Sequence, residues 1–417
     1  MPTSSLSDER VPASAGTPRT GLVLTGGGAR AAYQAGALRA VVDILDPLRS
    51  AGFRFPFDVI CGTSAGAINA TALAAGAHHP HVSLRRLNRL WSSLHTGQVY
   101  RADAPSLLRT GVRWLGLLSL GWMFSGWARR KPRSLLDNTP LSHLLAGALD
   151  FAQLQRNLDD GHLAALAITA SGYTSGQHLT FYQSHEVIEP WRRALRRAVP
   201  ATIGCDHLMA SSAIPFIFPA RALDVDGVIQ WCGDGSMRQL APISPAIRLG
   251  ADRVLVIGSS HRGEVHPDAG GEDPPYPSLA QIGGHALSNI FLDSVAMDIE
   301  RLADVNGLLD PGLHDGQQGL PHQTQHLAGG LRPVKVLALS PAVSLDELAL
   351  AHMNDLPGEL LALFRVLGIS PDSRGQAGGS LLSYLLFEGG YTRRLIELGY
   401  ADTMLRSAEV IEFFDAP

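Results

Sequence analysis

The sequence predicts an α/β protein with a mostly parallel central sheet covered by helices. From residue 21 onward, short β-like runs alternate with helix-like runs, which is typical of strand–helix–strand units. The chain has 417 residues, enough for one large α/β core or two smaller ones. Its 44 glycines and 26 prolines predict many tight turns between these elements.

Two strand–helix pairs stand near the N-terminus. Residues 21–25 predict the first strand, and apolar side chains about four residues apart predict a helix over 29–45. Residues 57–61 predict a second buried strand, followed by an alanine-rich helix over 64–75. Further strands are predicted over 163–169, 225–231, 253–258 and 334–339, and helices over 188–199, 345–350, 357–367 and 380–398, the last with a break at Gly389 and Gly390.

Three segments follow from composition. Residues 1–20 are rich in Ser, Thr and Pro and lack an apolar run, so we expect a flexible tail and no secretory signal. Residues 21–260 form the expected core domain, and 261–417 a helical C-terminal extension that packs on it. The stretches 261–277 and 310–333 are rich in Gly, Pro, His and Gln, which predicts long surface loops.

A helical insertion is expected over about 85–135, where four of the six tryptophans lie. It is either a helical pair packed on the core, since Trp and Leu at helical spacing are usually buried, or a surface that covers a lipid pocket or contacts a membrane. The apolar stretch 111–128 is followed by three cationic residues up to Lys131, which suits a peripheral membrane contact through 111–131. A membrane span is the least favoured reading, because the stretch contains Arg113 and several glycines.

Charge and cysteine usage exclude several classes of function. The formal net charge is −4 without a basic stripe, so nucleic acid is not an expected partner. Cys61, Cys205 and Cys232 form no CxxC pair or metal-ligand spacing, which predicts reduced thiols in a cytoplasmic setting. No set of residues indicates a metal or a nucleotide, so no cofactor is expected.

A G-x-S-x-G pentapeptide stands between the second predicted strand and its helix. It consists of Gly62, Thr63, Ser64, Ala65 and Gly66. In this context the chain turns so sharply at the serine that the outer positions require glycine. The turn places the Ser64 hydroxyl at the carboxyl edge of the sheet and over a helix N-terminus, whose dipole favours a developing oxyanion. Ser64 is the candidate nucleophile, and the alternative is a serine that only caps the helix.

A glycine cluster joins the first strand to the first helix. Its members are Gly26, Gly27 and Gly28, followed by Ala29 and Arg30. Successive small residues expose backbone N–H groups, which makes Gly26, Gly27 and Gly28 candidates for an oxyanion hole. Arg30 either adds charge to this hole or braces the loop. A phosphate loop is the weaker interpretation, because the spacing matches neither G-x-G-x-x-G nor the G-K-[ST] ending of a P-loop.

A carboxylate between two glycines is the third candidate feature. Asp234 follows a β-like run, between Gly233 and Gly235. On its own, Asp-Gly is first of all a turn signal. Its neighbourhood singles it out, because ASSAIP precedes it at residues 210–215 and APISP follows it at 241–245.

Four ordered motifs together resemble the patatin-like phospholipase family. They are GGGAR at residues 26–30, GTSAG at 62–66, ASSAIP at 210–215 and DG at 234–235. The resemblance covers about residues 21–258, and the ordered set is far more specific than any one motif. It implies a three-layer α/β/α fold.

By position, the resemblance implies a Ser-Asp dyad without histidine. Ser64 is then the nucleophile, Asp234 the base, and the N–H groups around Gly27 and Gly28 the oxyanion hole. The sequence departs from the family at Ser236, where Gly or Ala is usual, although Ser236 is still small. An ordinary aspartate, with a pKa of about 3.9, is a poor base, so we expect desolvation to raise the pKa of Asp234.

The implied function is that of a lipid acyl-hydrolase, of the phospholipase A or esterase kind, which forms an acyl-serine intermediate. Its expected partner is a phospholipid or another acyl-ester lipid. One rival uses a histidine as base, and His185 and His207 are the candidates. The other rival is a catalytically silent lipid-binding or regulatory protein on the same fold. Intact Ser64, Asp234 and glycine loop favour the enzyme.

Overall fold

A computed structural model describes most of the chain. The described residues are 18–48, 54–101, 134–261, 294–309, 332–366, 369 and 376–415. Most of the predicted insertion and of the two predicted surface loops lies outside them. Among the described residues, no helix is both long and apolar enough to cross a bilayer.

Ten strands of the described residues form the sheet. They are β1 (Thr20–Leu24), β2 (Val59–Thr63), β3 (Ala165–Gly172), β4 (His178–Ser184), β5 (Arg192–Arg193), β6 (Arg196–Pro200), β7 (Arg221–Val225), β8 (Val228–Asp234), β9 (Arg253–Ile257) and β10 (Lys335–Leu339).

The helices of the described chain flank the sheet. They are α1 (Ala32–Leu45), α2 (Ala65–Ala75), α3 (Pro80–Ser92), α4 (Thr96–Val99), α5 (Thr139–Ala148), α6 (Phe151–Asp159), α7 (Cys205–Ser211), α8 (Ser244–Arg248), α9 (Ser294–Leu309), α10 (Leu345–Ala351), α11 (Gly358–Val366), α12 (Gln376–Leu385), α13 (Gly389–Leu405) and α14 (Ser407–Asp415). Short 3₁₀ turns occupy Gly28–Ala31, Asp46–Leu48 and Met353–Asp355.

The sheet is mostly parallel at its centre. Its order is β10-β9-β1-β2-β3-β4-β6-β5. Strands β10, β9, β1, β2 and β3 run parallel, β4 is antiparallel to β3, and β6 is parallel to β4. The hairpin of β7 and β8 joins through β8, which pairs antiparallel with β3.

Strand β3 has two successive neighbours along one of its edges. Strand β2 pairs with it as far as Thr63, which lies opposite Thr169. From the next residue of β3 onward the neighbour is β8, with Asp234 opposite Ala170. The other edge of β3 pairs with β4 throughout. Asp234 therefore takes the place in the sheet that the residue after Thr63 would hold if β2 continued.

Apolar clusters cover both faces of the sheet. Alternation along the strands sends Leu22, Leu24 and Ile60 to one face, with α1, α2, α3 and the C-terminal helices. It sends Val23 and Cys61 to the other face, with α8 and α9. Each face buries its apolar side chains beneath helices, so the predicted three-layer α/β/α fold is confirmed.

Two local predictions are wrong. The helix expected over 188–199 is instead the hairpin of β5 and β6, because β6 pairs with β4 and this long-range pairing overrides local helical spacing. The strand expected over 225–231 is two strands, since Asp226 and Gly227 form the tight turn between β7 and β8.

The segment after residue 260 packs closely on the core. Strand β10 lies beside β9 in the sheet. Helices α1 and α13 approach so closely that a Cβ on Gly36 would collide with the backbone of Ile396, and one on Gly399 with that of Tyr33. The division at residue 260 stays a prediction.

Candidate active site

The backbone at Ser64 makes the sharp strand-to-helix turn, called a nucleophile elbow, that residues 62–66 predict. Its φ of 55° and ψ of −128° are rare for a residue with a side chain. The flanking glycines are a steric need, since a Cβ on Gly62 would lie 2.5 Å from the Gly66 carbonyl oxygen and one on Gly66 2.5 Å from that of Thr25. Ala65 begins α2 directly after the turn, so the hydroxyl lies at a helix N-terminus.

Asp234 is the hydrogen-bond partner of Ser64. The Ser64 Oγ donates to Asp234 Oδ2 over 2.7 Å, although the two residues are 170 positions apart. Asp234 is fully buried and Ser64 is 2% exposed. Burial raises the pKa of Asp234 to about 6, and the hydrogen bond from Ser64 opposes this rise only in part. The carboxylate is therefore a stronger base than an ordinary aspartate.

Further hydrogen bonds hold the backbone of Ser64 and the carboxylate of Asp234 in place. The Ser64 N–H donates to Ser211 Oγ over 2.8 Å, and the Gly235 N–H donates to the Ser211 carbonyl oxygen over 3.1 Å. The second carboxylate oxygen of Asp234 accepts the Ser236 N–H over 2.8 Å. Ser211 thus links the serine elbow to the loop that carries the carboxylate.

The glycine loop passes directly beside the serine. A Cβ on Gly26 would lie 3.1 Å from Ser64 Cβ. Gly28 has a φ of +55° and would clash with the backbone of Tyr384 if it carried a side chain. Gly27 precedes the 3₁₀ turn and packs against Ser259. The first N–H groups of such a turn lack partners within it, and Gly28 at its start lines the same cavity as Ser64.

Arg30 points toward the C-terminal helices. Its guanidinium is buried, pairs with Asp346, donates to Ser383 Oγ over 2.8 Å and lies 4.0 Å from the ring centre of Tyr384. The backbone N–H of Arg30 donates to the Gly27 carbonyl oxygen over 3.1 Å. These contacts support the bracing role that the sequence left open for Arg30, not a direct charge on an oxyanion.

A narrow apolar cavity adjoins the serine. Gly28, Ser64 and Ala65 line it together with side chains of α3 and the segment after it, of α5 and of the loop before β7, among them Leu90, Leu94, Leu145, Ile214 and Phe218. Such a lining suits a hydrocarbon chain and repels water. Ser64 therefore borders an apolar space.

A polar network lies beneath the elbow. Thr63 Oγ1 lies 2.7 Å from Thr169 Oγ1 and accepts a hydrogen bond of 2.8 Å from Gln239 Nε2. This network ties the end of β2 to β3 and to the loop after Asp234. Thr63 therefore supports the elbow from below.

Neither histidine proposed as a rival base is the partner of Ser64. His207 accepts the Gly204 N–H over 3.2 Å and packs on Phe181, and His185 is exposed at the far end of β4. A third histidine, His178, lies nearer, and its Nε2 is 3.0 Å from the Gly235 carbonyl oxygen. Burial lowers the pKa of His178 to about 4, so it is neutral at pH 7 and donates to that carbonyl.

Several of these residues carried no usable signal in the sequence. Ser211 lies in the ASSAIP motif, yet nothing local indicates its contact with the Ser64 N–H. His178 and the apolar wall from α3 and α5 reach the site only through tertiary packing. A sequence pattern reports periodicity within one element and not which elements meet.

A strained serine on a strand–turn–helix elbow, bonded to a buried carboxylate beside an apolar cavity, is typical of serine hydrolases on α/β folds. Residues 22–247, more than half of the 417-residue chain, match the patatin-like phospholipase family. The protein belongs to that family, which is one of lipid hydrolases, and the resemblance predicted from the motifs is confirmed.

Solved structures similar to the chain are distant in sequence. VipD from Legionella pneumophila is 13% identical, with 91% of this chain and 67% of that chain covered and a TM-score of 0.32. Human GIVD cytosolic phospholipase A2, solved with methyl γ-linolenyl fluorophosphonate, is 14% identical, with 95% and 58% covered and a TM-score of 0.40. This chain thus spans less than two thirds of the human one. No curated protein sequence matches significantly.

Proposed function

We propose that the protein is a lipid acyl-hydrolase that cleaves carboxylic esters of phospholipids or other acyl lipids through Ser64 and Asp234. The 2.7 Å hydrogen bond between Ser64 Oγ and the buried carboxylate carries this proposal. The apolar cavity beside Ser64 supports a hydrocarbon substrate. Membership of a lipid hydrolase family supports the same substrate class.

In the first half of the reaction, Ser64 Oγ attacks the ester carbonyl while Asp234 Oδ2 accepts the hydroxyl proton. The negative charge that develops on the carbonyl oxygen faces the N–H groups of Gly27 and Gly28. Collapse of the tetrahedral intermediate breaks the bond to the alcohol. Asp234 returns its proton to this leaving group, and the acyl chain stays on Ser64.

In the second half, a water molecule attacks the acyl-serine and Asp234 accepts a proton from it. The same N–H groups stabilise the second oxyanion, and the proton passes to Ser64 Oγ as the acyl bond breaks. The products are a fatty acid and the free enzyme. No metal or cofactor takes part in these steps.

Labelling with a fluorophosphonate probe tests the proposed nucleophile. We expect the full chain to be labelled at Ser64, to hydrolyse short p-nitrophenyl esters and phospholipids, and to lose both properties in Ser64→Ala. Ser93→Ala is the matched control, because the Ser93 hydroxyl bonds only to carbonyl oxygens of α3 and this variant should still be labelled. Labelling at another residue, or an unlabelled but folded wild type, would contradict the proposal and favour the silent lipid-binding alternative.

Ester cleavage is expected to rise with pH through about 6 and then to level off. Burial raises the pKa of Asp234 to about 6, so below this value the carboxyl group is protonated and cannot accept the Ser64 proton. Initial rates with a soluble short-chain ester, measured from acid to mildly alkaline pH, check this. A profile that is flat through pH 6 would argue against Asp234 as the base.

A further inference from the structure

The hairpin of β5 and β6 concentrates positive charge at its turn. Its register places Arg192 opposite Arg197 and Arg193 opposite Arg196. Like charges directly opposite each other destabilise a strand pair. Asp226 pairs with both Arg192 and Arg197, so one carboxylate offsets part of the charge on that half of the hairpin. In the described part of the chain, Arg193 and Arg196 have no ion-pair partner.

A third arginine meets these two in a shallow cleft. Arg193, Arg196 and Arg248 line it together, and Arg248 also lies 5.8 Å from the ring centre of Trp191. Burial lowers the pKa of Arg248, and the charges of Arg193 and Arg196 lower it further. The carboxylate of Asp298, which interacts electrostatically with Arg196, already accepts the Ile243 N–H over 3.0 Å. Three cations thus share one space, and an external anion would relieve their repulsion.

The tip of the same hairpin is apolar and strained. Leu195 is 59% exposed and has a φ of 57°, a conformation in which glycine or asparagine is favoured. Neither turn geometry nor core packing therefore explains a leucine at this position. Leu240, which also lines the cleft, is 66% exposed.

We propose that the β5–β6 hairpin and the adjoining arginine cleft dock on an anionic lipid surface, with Leu195 inserted among the lipids and Arg193, Arg196 and Arg248 bound to head-group phosphates. An apolar tip surrounded by arginines matches the boundary between head groups and acyl chains. Guanidinium groups bind phosphate in bidentate geometry.

A single histidine connects this docking surface to the loop that carries Asp234. His178 lines the cleft and also contacts the carbonyl oxygen of Gly235, directly after Asp234. The loop that carries the carboxylate is therefore held at the edge of the lipid-bound face. The proposal differs from the membrane contact expected through residues 111–131, because it uses another part of the chain.

Vesicle binding tests the proposal independently of catalysis. The full chain with Ser64→Ala, which leaves the lipids intact, is sedimented with vesicles of phosphatidylcholine alone or mixed with phosphatidylserine. We expect preferential binding to the anionic vesicles that weakens with added salt. The triple variant Arg193→Gln, Arg196→Gln, Arg248→Gln should bind on the order of 100-fold more weakly, since each arginine at an anionic surface contributes roughly a factor of five.

Two further variants make the test specific. Leu195→Asn should weaken vesicle binding about tenfold while the melting temperature stays equal or rises, because asparagine tolerates the positive φ. Arg39→Gln, Arg156→Gln and Arg394→Gln, exposed on α1, α6 and α13, remove the same net charge elsewhere and should leave binding nearly unchanged. An equal loss in this control, unchanged binding in the cleft variant, or no binding by the parent chain would overturn the proposal.

Discussion

Replacing Asp234 by asparagine is expected to lower ester turnover by on the order of 10³-fold while the protein stays folded. The amide keeps the size of the carboxylate and can still accept a hydrogen bond from Ser64, but it cannot accept a proton. Because the pKa of Asp234 is raised in the folded state, the ionised carboxylate lowers the free energy of unfolding above about pH 6. The neutral amide does not have this effect. At the same pH, Asp234→Asn should therefore lose turnover while its melting temperature stays equal to or above that of the wild type.

A buried aspartate elsewhere provides the control. Asp298 is 6% exposed and its carboxylate holds the Ile243 N–H, so Asp298→Asn changes the same chemical group away from Ser64. This variant should keep most of the wild-type turnover. Near-normal turnover by Asp234→Asn, or an equal loss in both variants, would rule Asp234 out as the base.

Truncating Asp346 to alanine is expected to lower the free energy of unfolding by roughly 3 kcal/mol, because it leaves a buried guanidinium without its counter-charge. The Arg30 side chain is 8% exposed and that of Asp346 is 19% exposed, so water screens the pair little. The backbone N–H of Arg30 also donates to the Gly27 carbonyl oxygen. A loosened loop would present its N–H groups less well to an oxyanion, and we expect kcat to fall more than KM changes.

The neighbouring Glu347 supplies a matched comparison. It lies on the same helix, α10, and is exposed, so Glu347→Ala removes the same charge without uncovering a buried cation. Chemical denaturation of both variants tests this. We expect the free energy of unfolding of Glu347→Ala to differ from that of the wild type by less than about 0.5 kcal/mol. If Asp346→Ala is no less stable than this control, the pair does not brace the glycine loop.

The parts of the site that depend on local backbone shape could be predicted from the sequence. Gly62, Gly66 and Gly28 are needed because a Cβ at each would clash within the turn or against the next element. That steric need produces short motifs at fixed spacing. The prediction of Asp234 needed more than local shape, since an isolated Asp-Gly is only a turn signal. The order of the four motifs was required to single it out.

What the sequence could not predict depends on long-range pairing. The helical spacing over 188–199 gave the wrong element because the pairing of β6 with β4 is encoded in no local pattern. The contact of Ser211 with the Ser64 N–H spans 147 residues. The break in the helical run 380–398 comes at residues 386–388, before Gly389 and Gly390, which instead begin α13.

The change from β2 to β8 as the neighbour of β3 predicts which part of the protein loses its structure first on heating. Strand β8 attaches to β3 over a short stretch, with register pairs from Ala170 with Asp234 to Gly172 with Cys232. The Ser64 elbow, in contrast, is anchored between parallel strands in the middle of the sheet. Such a short attachment opens at a lower free energy than the whole domain. Thermal inactivation should then precede global melting, with amide exchange at β8 as the early sign.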